Sequence, residues 1–122
     1  MLRDAGDIAD RLCIAQLKAD RIGTSQVKQE FKEFWEGLFT HLLISPDIDW
    51  YKYINELYVC NKNIWDLESD IRKSKIDGNE QEIGRRTIKI REYNKKRVEI
   101  KNEINKLTGE LFREIKKDHA SE

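Results

Sequence analysis

Ile71-Arg72-Lys73-Ser74-Lys75-Ile76-Asp77-Gly78-Asn79-Glu80-Gln81-Glu82-Ile83 is the stretch on which the fold turns. Asp77-Gly78-Asn79 is a strong turn signal. Apolar residues at helical spacing run up to it and away from it for a long way. Upstream, Trp50, Ile54, Leu57, Asn61, Ile64, Glu68 and Ile71 fall on one seam with alternating steps of four and three. Downstream, Ile83, Arg86, Ile90, Tyr93, Arg97, Ile100, Ile104 and Leu107 do the same. The spacing predicts a third helix over Ile48–Ile76 and a fourth over Glu80–Thr108, with Gly109 as its stop. Each would hold roughly 29 residues and measure about 43 Å. A three-residue turn folds two such helices into an antiparallel hairpin.

Working back from the hairpin, Ser45-Pro46-Asp47 breaks the chain, and Asp47 or Asp49 is placed to cap the third helix. A second helix is predicted over Gln26–Leu43, with Val27, Phe31, Phe34, Trp35, Leu38 and Leu42 as its apolar face. A first runs over Asp7–Arg21, with Ile8, Leu12, Ala15, Ala19 and Ile22 at steps of three and four. Gly23-Thr24-Ser25 separates these two. Past Gly109, Leu111, Phe112 and Ile115 are expected to dock briefly before residues 118–122 fray. The expected fold class is all-α, a four-helix bundle built on the hairpin of the third and fourth helices. The whole chain, 1–122, reads as one domain.

Composition narrows the function. The chain has 122 residues, with 23 Lys or Arg against 23 Asp or Glu and a formal net charge of zero. A general nucleic-acid binder would carry a basic excess. No apolar run approaches the ~18 residues that cross a bilayer, so membrane insertion is not expected. Met1-Leu2-Arg3-Asp4-Ala5-Gly6-Asp7 lacks the apolar core of a signal peptide. Cys13 and Cys60 stand outside any CxxC motif, which suits a reducing compartment. A cytoplasmic location is the expectation.

The seams of the hairpin contain residues that should not be there. Asn61 and Glu68 interrupt the third helix, and Arg86 and Arg97 interrupt the fourth. Asn94 and Lys101 share a side with Arg97. A turn centred on Gly78 sets opposite each other residues whose numbers sum to twice 78, about 156. Glu68 then faces the region of Arg86 to Ile90, and Asn61 faces the region of Asn94 to Arg97. Burying an ion costs several kcal/mol unless it is paired and hydrogen-bonded. These layers are therefore either register-fixing devices, like the buried Asn of a coiled coil, or the walls of a site. A ligand of that site would be anionic, because Arg97 presents a guanidinium fork suited to phosphate or carboxylate. The segment 85–101 also carries eight basic residues against Glu92 and Glu99, mostly as a solvated face. On the first helix Asp7, Asp10, Lys18 and Arg21 share a side with Ile14 and Leu17, where the two carboxylates complement the helix dipole.

Three blocks carry a resemblance: Ile8 to Ile22, Asn61-Lys62-Asn63-Ile64-Trp65-Asp66-Leu67-Glu68-Ser69-Asp70-Ile71-Arg72, and Asn94 to Asn105. Together they resemble an uncharacterised family of small all-helical bacterial proteins, a domain of unknown function associated with genes for cell-surface polysaccharide synthesis. The resemblance covers nearly the whole chain. It implies that Asp10, Lys18, Arg21, Asn61, Trp65, Glu68, Asp70, Arg72, Asn94, Arg97, Lys101 and Asn105 matter, and that Glu114-Ile115-Lys116-Lys117 matches the family's last acidic-then-basic motif loosely. It carries no activity to transfer.

The leading expectation is a non-catalytic binding or accessory module with a polar pocket for a small anionic ligand, such as a nucleotide or nucleotide sugar. Its candidate residues are Asn61, Glu68, Arg86, Asn94, Arg97, Lys101, Trp65, Lys18 and Arg21. No catalytic residue, metal ligand or cofactor is assigned. One alternative is a Mg²⁺-dependent nucleotide pyrophosphohydrolase, for which Glu33 with Glu36 and Asp66 with Asp70 have helical spacing. The matching acidic pair is missing, since Glu68 and Asp70 point to different sides. The other is a structural oligomerisation module. His41 and His119 offer no nucleophilic pairing with either Cys. Consecutive helical residues diverge by about 100°, so Trp50, Tyr51 and Tyr53 cannot all face inward. An aromatic surface and a homodimer are therefore expected.

Overall fold

The computed structural model describes residues 4–120, with side chains for residues 4–109. Those residues form α1 (Ala5–Arg21), α2 (Ser25–Ile44), α3 (Trp50–Arg72) and α4 (Glu80–Ala120), with no strand among them. Each helix starts on a side-chain cap. Asp4 accepts from the amide of Asp7, Thr24 from Val27, Asp49 from Lys52 and Asn79 from Glu82. Each cap satisfies one of the amides a helix start leaves without a partner.

The fold is the expected all-α bundle on an α3–α4 hairpin, but α1 is its centre. α1 packs on α2, α3 and α4, while α2 packs chiefly on α1. A central helix must be apolar or small on several sides, and Ala5, Gly6, Ile8, Ala9, Leu12, Cys13, Ala15 and Leu17 are all buried. At Gly6 a Cβ would stand 2.5 Å from the backbone oxygen of Lys101 and 2.9 Å from Oδ1 of Asn105. Only glycine lets the start of α1 lie this close to α4, and the Gly6 amide donates to Asn105 Oδ1 at 2.8 Å. Leu38, Trp50, Leu57, Cys60, Ile100 and Ile104 complete the core around α1. Burial pushes the Cys13 thiol up to about 12, with Asp10 adding to it, and its Sγ lies 3.3 Å from the Ile54 carbonyl oxygen.

Several boundaries differ from the sequence reading. α3 ends at Arg72 instead of Ile76. The amide of Ser74 donates to Ile71 O and that of Lys75 to Asp70 O, at 3.1 Å each. This is a Schellman closure with Ser74 in the left-handed position, φ 58°. α4 does not stop at Gly109 but continues to Ala120. One glycine costs a helix about 1 kcal/mol, which does not terminate a segment without proline. The expected docking of Leu111, Phe112 and Ile115, and the motif at Glu114–Lys117, lie outside the described side chains. Residues 118–120 belong to α4, and the rest of the expected frayed tail lies outside the described residues.

Two apolar assignments also move. Leu107 is exposed and Thr108 is buried in its place, with its hydroxyl donating to Ile104 O. Past Ile100 the inner stripe of α4 steps by four residues, and α1 is its neighbour there through Gly6. Trp35 lies outside the core. With Phe39 and Leu43 it forms an apolar stripe on the outer side of α2, at 45%, 50% and 67% exposure. Of the three aromatics at the start of α3, Trp50 is buried, Tyr53 half-buried and Tyr51 82% exposed.

Candidate functional site

The polar seam assembles where α1, α3 and α4 meet. Asp10, on the central helix, is 3% exposed. Asn61 of α3 donates to its Oδ1 at 2.9 Å with one amide hydrogen and to Leu57 O at 3.0 Å with the other. Both donors of Asn61 are thus committed, which aims its carbonyl oxygen at Arg97 Nη1, 3.5 Å away. Arg97 Nε lies 3.4 Å from Asp10 Oδ1, and Lys101 Nζ lies 3.8 Å from Asp10 Oδ2 and 3.6 Å from Asp7 Oδ1. Asp7 also pairs with Arg11 at 2.9 Å, while the buried carboxylate, Asp10, is met by both Arg97 and Lys101, as burial of charge requires. Arg97 Nε is itself buried and donates no hydrogen bond among the described residues.

Beside the cluster is a cavity of about 380 Å³. Its walls include Lys18, Asn61, Trp65, Glu68, Asn94 and Arg97, six of the nine candidate residues, with Ile14, Leu17, Ile64 and Arg72. A second cavity of about 680 Å³ adjoins it along Trp65 and Arg72 and takes in Arg21, Ile22, Asp66, Ser69, Asp70 and Lys73. Arg21 pairs with Asp66, and its guanidinium lies 5.6 Å from the Trp65 ring centroid. That pair and stack fix the indole between the two cavities.

The other candidates fall elsewhere. Lys101 belongs to the Asp7–Asp10 cluster and does not line the cavity. Arg86 lies toward the hairpin turn. It does not pair with Glu68, as the facing register suggested, but donates to Asp70 at 2.7 Å and to Glu82 at 2.9 Å. Asp70 and Arg86 obey the expected register, since their numbers sum to twice 78. Glu68 sits two residues off, which turns it toward the cavity, where it has no ion pair among the described residues. The Arg86 guanidinium holds the Asp70 carboxyl below its ordinary range, and Arg85 first and then Arg86 do the same for Glu82.

Asp10 is the residue the candidate set left out. Its signal was present: an acidic side chain between the apolar pairs Ile8–Ala9 and Leu12–Cys13. Arg72, a wall of both cavities, lies off the apolar seam, and only the resemblance pointed to it. Asn105, also implied by the resemblance, binds the Gly6 amide and joins α4 to α1.

Among the described residues no three His, Cys, Asp or Glu side chains gather as a metal site. Glu33 and Glu36 are exposed on α2, while Asp66 and Asp70 are paired with Arg21 and Arg86. Among the described residues no helix is long and apolar enough to cross a membrane. No protein-family model, curated protein or solved structure matches this chain.

Proposed function

We propose that this chain is a non-catalytic binding or accessory module of the cytoplasm that holds a small anionic ligand, such as a nucleotide or nucleotide sugar, in the cavity between α1, α3 and α4. One observation carries this reading. The cavity wall presents Lys18, Arg72 and Arg97 against a single carboxylate, Glu68. Lys18 has only a half-exposed partner, Glu30 at 3.4 Å, and Arg72 has no ion pair among the described residues. Guanidinium forks are the protein groups best matched to phosphate and carboxylate oxygens, and Asn61 and Asn94 add neutral polar contacts.

Calorimetric titration of the full chain with inorganic phosphate and nucleotides, with and without Mg²⁺, tests the proposal. Arg72→Ala is the informative variant, because Arg72 is exposed and its removal spares the fold. The wild type is expected to bind and the variant to bind several-fold more weakly. Mg²⁺-dependent release of phosphate would support a nucleotide hydrolase instead, and no binding at all would support a structural role.

A second copy of the chain is the partner that the outer face of α2 supports. Trp35, Phe39 and Leu43 repeat at four-residue steps along it, and contiguous apolar stripes mark association surfaces. Light scattering should give twice 14.5 kDa for the wild type and the monomer mass for Phe39→Glu. A wild-type monomer at micromolar concentration would remove the dimer from the proposal.

A further inference from the structure

We infer that the two adjoining cavities are one site and that its ligand has two parts: a phosphate or diphosphate held on the Arg72–Arg97 side, and a ring seated against Trp65 in the larger cavity. This rests on the anion-binding reading above and specifies the ligand class, a ring-bearing organic phosphate of the nucleoside phosphate kind.

The cavities share two walls of opposite chemistry, Trp65 and Arg72. Trp65 offers an extended aromatic surface, and Arg72 offers a guanidinium that reaches either side. A lone inorganic phosphate needs only the smaller space and its cations. Both spaces, at about 680 and 380 Å³, lie in the ~300–1,000 Å³ range of sites for drug-sized organic ligands, so together they offer far more room than a lone phosphate fills. The charges of the larger one are mostly spent within the protein, since Asp66 is paired with Arg21 and Asp70 with Arg86 and Lys75. What remains facing the space is Trp65 with the exposed Ile22 beside it, the hydroxyl of Ser69, and the cations Arg72 and Lys73. Because Arg21 is tied to Asp66 and stacked on the indole, Trp65 is held in place before a ligand arrives, which lowers the entropy cost of binding.

Titrations of the full chain with inorganic phosphate, pyrophosphate, AMP, ADP and UDP test this. At least one nucleotide should bind roughly tenfold or more tightly than inorganic phosphate or pyrophosphate, a difference of about 1.4 kcal/mol. Trp65→Leu should bring nucleotide affinity down to about the phosphate value, a roughly tenfold loss, and lower phosphate affinity far less, although Trp65 also borders the smaller cavity. If Trp65→Leu does not fold, Ile22→Ser, at a position 54% exposed, should lower nucleotide affinity in the same selective way. Arg72→Ala should weaken phosphate and nucleotide together. Equal affinity for phosphate and nucleotides, or nucleotide binding indifferent to both Trp65→Leu and Ile22→Ser, overturns the two-part ligand while leaving anion binding intact. Binding of none of these probes overturns both.

Discussion

Asp10 on α1 and Arg97 on α4 meet at 3.4 Å, Oδ1 to Nε, with the carboxylate almost wholly buried. The pair lets a charged residue sit on the central helix of the bundle. Arg97 is also a wall of the cavity, so one guanidinium serves the core on one side and the candidate site on the other. Its stability role and its binding role therefore need separate variants.

Arg97→Ala should lower unfolding stability by roughly 3 kcal/mol, the low end for breaking a buried pair, because Lys101 still faces Asp10. Adding Asp10→Asn removes the stranded carboxylate. A double-mutant cycle in urea should then give a coupling of about 1–3 kcal/mol. Additive losses would mean that the two charges do not depend on each other.

Gly6→Ala should destabilise by about 1–3 kcal/mol through overpacking, despite the better helix propensity of alanine. The atom the new methyl meets at 2.5 Å is the backbone oxygen of Lys101, which moves only if α4 moves. Gly84→Ala is the control. A Cβ there meets nothing within 4 Å, and the substitution should stabilise by up to about 1 kcal/mol. Thermal unfolding of the two variants should shift in opposite directions.

Ser74→Gly should stabilise by about 0.5–1 kcal/mol. Ser74 holds φ 58° in the closure after α3, a conformation that disfavours a Cβ by roughly 1–2 kcal/mol. Part of that gain is offset by the greater freedom of glycine in the unfolded chain. Gly78→Ala, at φ 80°, should act the other way.

Asp70 gives the hairpin a pH dependence. Its folded carboxyl is held below its ordinary value by hydrogen bonding to Arg86, so its contribution is fully present above the ordinary aspartate value of 3.8. It is lost as pH falls through the lowered folded value. The stability gap between wild type and Asp70→Asn should therefore be constant near neutrality and close below about pH 4. A gap that widens in acid would contradict the Asp70–Arg86 pairing.

The local code of this chain was enough to specify four helices, the aspartate cap of α3 and the hairpin, though not where α3 and α4 end. Apolar residues at steps of three and four, Asn79 at a helix start and Gly78 in the turn act through contacts within a few residues. The seam Trp50–Ile71 also marked Asn61 as a buried polar residue, because a helix places residues by number alone. Tertiary structure decided the rest. It put α1 in the centre, since burial on several sides depends on which helices surround it. It gave Arg86 to Asp70 and turned Glu68 to the cavity, a choice made by two residues of rotation. It also made Asp10 the counter-ion of Arg97, 87 positions away in the chain, where no local periodicity can express the attraction between them.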